Sequence, residues 1–106
     1  MARADSRRGI QRERDLVKRL REEGWFAMRS PASLGVADVI ALKEGERSRF
    51  YEVKSTAKGP YHSFGPDDRK ALSVAARRAG VDAILCWWPK NKEPEFIPEK
   101  DWPRSA

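Results

Sequence analysis

The sequence predicts a single mixed α/β domain, a central β-sheet flanked by helices in the order α-β-β-β-α-β-β. Three observations predict it. A chain of 106 residues matches the size of one domain. Two charged segments carry apolar residues at helical spacing and stop at Gly24 and Gly80. Short apolar runs separated by turn formers fill the rest, as strands do. The domain covers residues 1–106, with irregular tails expected at 1–5 and 99–106.

The first helix is expected over residues 6–23, with Ser6 as N-cap and Gly24 as its stop. Residues 25–29 read as a strand and residues 30–35 as a loop rich in Ser, Pro and Gly. The apolar stretches 36–42 and 49–54 flank a gap centred on Gly45, which predicts an antiparallel hairpin. Residues 55–65 contain Gly59-Pro60 and read as an exposed loop. Pro66 suits the first turn of a second helix, with Asp67 and Asp68 favourable at its positive end. Leu72, Ala75, Ala76 and Ala79 form its inward side. Val81–Trp88 is apolar almost throughout, as an interior strand is, and Phe96-Ile97 adds a short edge strand.

Composition narrows the function classes. The formal charge is +6, concentrated in the first 80 residues, which favours a polyanionic partner. At this length only about two-thirds of the unfolded chain's surface is buried, so a homodimer is favoured on energetic grounds. The lone Cys86 excludes an internal disulfide and, inside Ile84–Trp87, reads as a buried thiol of a cytoplasmic protein. No apolar run reaches the roughly 20 residues of a membrane span, and no signal peptide is expected. With one histidine, His62, neither a zinc site nor a Ser-His-Asp triad has its parts. No Gly-rich phosphate loop is present, so no nucleotide cofactor is expected.

The chemistry-bearing residues are acidic. Ile10, Glu13, Val17 and Leu20 form one stripe of the first helix. Glu13 is the one acid on it, where a carboxylate needs a cation, hydrogen-bond donors or a route to solvent. A partner in Arg12 or Arg14 would serve equally well. In a hairpin centred on Gly45, residues whose numbers sum to about 90 lie opposite each other. Asp38 then faces Glu52, and Lys54 projects from the same side. Two opposed carboxylates repel unless something positive lies between them, and Mg²⁺ takes one or two carboxylates plus waters and phosphate oxygens. Lys58, Tyr61, His62 and Phe64 mix basic and aromatic groups in the following loop, which either clasps DNA or is an ordinary exposed loop. Trp87-Trp88 is either a base-stacking platform or a core or dimer element.

Gln11-Arg12-Glu13-Arg14-Asp15-Leu16-Val17, Arg29-Ser30, Ala37-Asp38-Val39-Ile40 and Glu52-Val53-Lys54-Ser55-Thr56, in that order, resemble the archaeal-type Holliday junction resolvases of the PD-(D/E)xK nuclease group. The resemblance covers about residues 8–58. It implies a restriction-endonuclease-like core and an Mg²⁺-dependent endonuclease, with Mn²⁺ as a substitute, that resolves four-way junctions by paired symmetric nicks as a homodimer. By the same resemblance Glu13, Asp38 and Glu52 hold the metal and Lys54 is catalytic. Arg14 and Arg29 contact DNA or support the site, Ser30 lies with them, and Ser33 is the loop serine implicated in catalysis. Lys58 completes the expected DNA contacts. The alternatives are another nuclease of this group (restriction-like, repair or single-strand-directed) and a non-catalytic basic DNA-binding module.

Overall fold

A computed structural model describes residues 3–31 and 36–104, with side chains from Arg8 onward. Helix α1 (Arg3–Glu22) is followed by strands β1 (Phe26–Arg29), β2 (Val39–Leu42) and β3 (Arg49–Ser55). Helix α2 (Pro66–Ala79), strands β4 (Asp82–Trp88) and β5 (Glu95–Pro98) and a 3₁₀ turn (Glu99–Asp101) complete the chain. The element order is the one expected from sequence.

The five strands form one mixed sheet in the order β1-β2-β3-β4-β5. β1, β2 and β3 are antiparallel neighbours, whereas β3 and β4 run parallel, with α2 as the crossover. In the hairpin Val39 faces Tyr51 and Ile40 faces Phe50, so the pairs sum to 90. Gly45, at φ 82°, occupies the turn conformation that favours glycine.

Side-chain alternation along β3 divides the core in two. Tyr51 and Val53 pack with Leu16, Val17 and Leu20 of α1, together with Ala27, Val39 and Cys86. Phe50 packs on the other side with Leu72 and Ala76 of α2, Leu85 and Trp102. Trp88 lies in the α1 layer, so of the two readings for this tryptophan the core is the observed one. Trp87 is half-buried and donates its indole N–H to the Thr56 carbonyl at 2.8 Å.

Both helices stop in the same way. The N–H groups of Gly24 and Trp25 return to the carbonyls of Arg21 and Leu20, and those of Gly80 and Val81 to Arg77 and Ala76. Each glycine adopts positive φ, 92° and 71°, and satisfies carbonyls that the helix leaves open. Trp25 then packs in the same cluster as Leu20, which fixes the angle at which β1 leaves α1.

β2 starts at Val39, short of the stretch from residue 36, and four further boundaries or faces differ from expectation. α1 begins at Arg3, so Ser6 lies inside the helix, and residues 3–5 are helical because no breaker stops it earlier. Ala79 is exposed at the helix end, leaving Leu72 and Ala76 as the buried residues of α2. Phe64, in the loop expected to be exposed, is fully buried against Trp102, ring centroids 5.0 Å apart and nearly perpendicular. Residues 99–104 are correspondingly a docked segment. Trp102 is 8% exposed and donates its indole N–H to the Ile97 carbonyl at 2.9 Å. Two aromatic rings together hide surface that neither the loop nor the tail could hide alone.

Candidate active site

β2 begins at Val39 while β3 runs on to Ser55, so the end of β3 outruns its antiparallel neighbour. On its other side β3 remains paired with β4 as far as Ser55 and Trp88. The result is a notch in the sheet at the carboxyl ends of two parallel strands, where sites of open α/β sheets form. Asp38 fills it. Its N–H bonds the Tyr51 carbonyl at 2.8 Å, its carbonyl accepts the Ser30 N–H at 2.8 Å, and its Oδ2 accepts the Val53 N–H at 2.8 Å. A carboxylate thus supplies the acceptor that a continuing strand would have offered to Val53.

Glu52 and Lys54, two apart on β3, share the side of the sheet opposite the buried Tyr51 and Val53. Lys54 Nζ lies 3.2 Å from Glu52 Oε2, with both side chains largely buried. From the other side, Glu13 of α1 meets Arg29 at the end of β1, Oε1 to Nε 2.9 Å. The partner of Glu13 is therefore a residue from a different element; neither Arg12 nor Arg14, its neighbours on α1, serves.

The electrostatics make this cluster a candidate functional site. Burial pushes the Asp38 carboxyl above its ordinary value; Glu13 adds to the rise, while the Val53 N–H, Lys54 and Arg29 oppose it. Burial raises Glu52 further, to about 7, and the charges of Asp38 and Asp68 add to it against the pull of Lys54. Asp68 comes from the first turn of α2. Its charge suits that helix end as expected, but its influence on Glu52 depends on how α2 docks, which local sequence does not reveal.

Glu13, Arg29, Asp38, Glu52 and Lys54 are thus brought together. Ser30 adjoins them through its N–H, with its hydroxyl toward the Pro31 carbonyl at 3.4 Å. Arg14 is exposed and lines a groove with Lys18, Arg21 and Met28 that Arg29 also borders. Lys58 is exposed beyond the end of β3, its N–H held by Thr56 Oγ1 at 3.0 Å. Ser33 lies outside the described residues.

Among the described residues no three His, Cys, Asp or Glu side chains form a ready-made metal cage. Glu13 and Glu52 each lean on a cation, Arg29 and Lys54. The donor set nevertheless fits a hard divalent ion. Asp38 and Glu52 are mutually repelling, partly buried carboxylates, and an ion between them would relieve the repulsion through oxygen ligands.

A family model described as archaeal Holliday junction resolvase (Hjc) matches residues 4–105. The chain belongs to this family. A curated relative, the crossover junction endodeoxyribonuclease Hjc of Sulfurisphaera tokodaii, is 35% identical over 83 residues, 74% of this chain and 57% of the relative. The chain therefore spans little more than half the length of the curated relative it matches. The solved structure of Archaeoglobus fulgidus Hjc, a Holliday junction resolvase, superposes with a TM-score of 0.81 at 26% identity, covering 93% of this chain and 79% of that one. The resolvase fold expected from the motifs at Glu13, Asp38 and Glu52 is the fold observed. No helix among the described residues is long and apolar enough to cross a membrane.

Proposed function

We propose that this protein is a divalent-cation-dependent endonuclease that resolves four-way DNA junctions by paired, symmetric nicks. The observation that carries the reading is the pair of carboxyls Asp38 and Glu52, both raised in proton affinity, with the charge of Asp38 adding to the rise at Glu52, beside Lys54 in the notch at the end of β3. Membership of the resolvase family supports it, as does the positive charge of the chain.

In this reading Glu13, Asp38 and Glu52 hold Mg²⁺, with Mn²⁺ as a substitute. The bound ion supplies an acidified water and polarises a phosphoryl oxygen. Asp38, locked by three hydrogen bonds, sets the position of the ligand group. Lys54 places an ammonium where charge develops on the phosphate. Arg29 orients Glu13 and offers its remaining donors to DNA. The Arg14 groove and Lys58 add phosphate contacts on either side.

The active unit is a homodimer, because two like nicks on a two-fold substrate call for two symmetric sites. α2 packs on β3 and β4, and over β1 and β2 the same sheet face carries the exposed side chains Phe26, Met28 and Leu42. A second copy would cover this surface.

The test is cleavage of a four-way junction, a linear duplex and a flap of matched sequence, with products mapped on all strands. Symmetric nicks in opposed junction strands, lost in excess EDTA and in Glu52→Gln with binding retained, are expected. Equal cutting of all three substrates would replace the reading with a general nuclease, and binding without cation-dependent cutting would reduce it to a DNA-binding module.

A further inference from the structure

A second groove, of about 770 Å³, opens beside the notch, between α1, the loop after β3 and the turn joining β4 to β5. Arg8 and Arg12 of α1 line one wall, one helical turn apart, and Lys58 and Lys90 come from the two loops. No carboxylate is among its lining residues. Among the described residues, Arg8, Lys58 and Lys90 form no ion pair with the protein. Cations that converge in one concave surface, three of them without such a pair among the described residues, repel each other unless an anion joins them.

Arg12 differs from the other three. Its guanidinium lies over the ring of Trp88, 4.6 Å from the centroid, and its Nη1 lies 3.2 Å from Asp15 Oδ2. Trp88 is a core residue, so the stack ties a charged fork to the rigid part of the molecule. Asp15 offsets part of that charge and also accepts from Gln11 at 2.9 Å. The stack and the ion pair leave other guanidinium donors free. Arg12 directly precedes Glu13, and Ser55 and Thr56, which also line the groove, directly follow Lys54. α1 and β3 therefore each carry a groove residue next in sequence to a residue of the site.

We propose that this groove holds the phosphodiester backbone of the cleaved DNA strand beside the scissile phosphate, with Arg12 as its pre-positioned phosphate ligand and Lys58 and Lys90 closing the opposite wall. The inference rests on the endonuclease reading for the identity of the scissile phosphate, whereas binding of the backbone in the groove stands on its own. Contacts of this kind neutralise phosphates and read no bases. Their signature is a salt dependence of binding, about −0.9 in log–log slope per phosphate on duplex DNA.

The experiment measures binding of a fluorescent four-way junction in EDTA across a range of salt, so that cleavage plays no part. It compares wild type with Arg12→Ala/Lys58→Ala/Lys90→Ala and with the charge-matched Arg47→Ala/Arg77→Ala/Arg78→Ala at the far end of the sheet. The groove variant is expected to lose about 2–3 from the slope and to bind at least about tenfold more weakly at moderate salt, with the control near wild type. Lys58→Ala/Lys90→Ala changes only exposed side chains and, if the triple variant does not fold, should lose about 1–2 from the slope. Where wild type cuts, Arg12→Lys at saturating junction should lower kcat or shift the nick by a nucleotide, because the charge remains but the stacked fork is gone. Equal losses in groove and control variants, or none in either, would overturn the proposal. A protein that binds through the groove but cuts no junction would overturn the endonuclease reading and leave the backbone contact standing.

Discussion

Asp38 Oδ2 accepts the backbone N–H of Val53 at 2.8 Å, so a proposed metal ligand also completes the hydrogen bonding of the central strand. Val53 is buried, and losing this acceptor would leave its N–H unpaired at a cost of about 1–3 kcal/mol. Asp38→Ala should therefore lower stability by that amount in urea unfolding and abolish cleavage. Asp38→Asn, whose amide oxygen still accepts, should keep most of the stability and still fail to cleave. Equal stability of the two variants would contradict the structural half of this dual role.

The raised Glu52 carboxyl makes stability depend on pH in a defined direction. Its value is about 7 in the folded protein against the ordinary 4.5, so between those limits the folded state holds the proton that the unfolded chain releases. The contribution is fully present below about pH 4.5 and is lost as pH rises through 7. Relative to Glu52→Gln, which stays neutral, wild type should lose up to about 3 kcal/mol between pH 5 and 8. Mg²⁺ added at pH 8 should restore stability to wild type and much less to the Gln variant. Parallel pH profiles of the two proteins in chemical denaturation would rule this out.

Trp102 anchors the end of the described chain on Phe64 and on the Ile97 carbonyl. Trp102→Ala should cost about 3–5 kcal/mol, the usual range for removing a buried large aromatic. Trp102→Phe should recover most of it while leaving the Ile97 carbonyl without its donor. Thermal or urea midpoints separate the two, and wild-type stability in the Ala variant would show that the segment contributes nothing to the fold.

Phe26 and Leu42 face each other across β1 and β2 and are 63% and 43% exposed. If a second copy covers them, Phe26→Glu/Leu42→Glu should sediment as a monomer and lose paired nicking of junctions, with circular dichroism unchanged. A dimer that survives this change would place the interface elsewhere.

Much of this was legible in the sequence because it depends on local periodicity. The hairpin register follows from a gap centred on Gly45, and that spacing alone predicts Asp38 opposite Glu52. Glycines past the last helical residue ended both helices as their φ angles require. The isolated acid on the α1 stripe marked Glu13, since a carboxylate at such a position needs a cation or hydrogen-bond donors, or a route to water. What was missed depends on residues distant in the chain. Arg29 as the partner of Glu13, Asp68 acting on Glu52 and Phe64 burying itself on Trp102 all arise from how helices and tail dock on the sheet. The Arg12–Trp88 stack has the same origin.

The sequence by itself determined the order of elements, the register of the hairpin centred on Gly45 and the four residues of the proposed site. These are consequences of side-chain alternation and helical pitch, which act over a few residues. Tertiary structure alone decided that β3 should outrun β2, opening a notch into which α1 and β3 bring Glu13, Glu52 and Lys54 from opposite faces around Asp38. Charge interactions and burial act through space, so the raised proton affinities of Asp38 and Glu52 exist only once the sheet and both helices have packed.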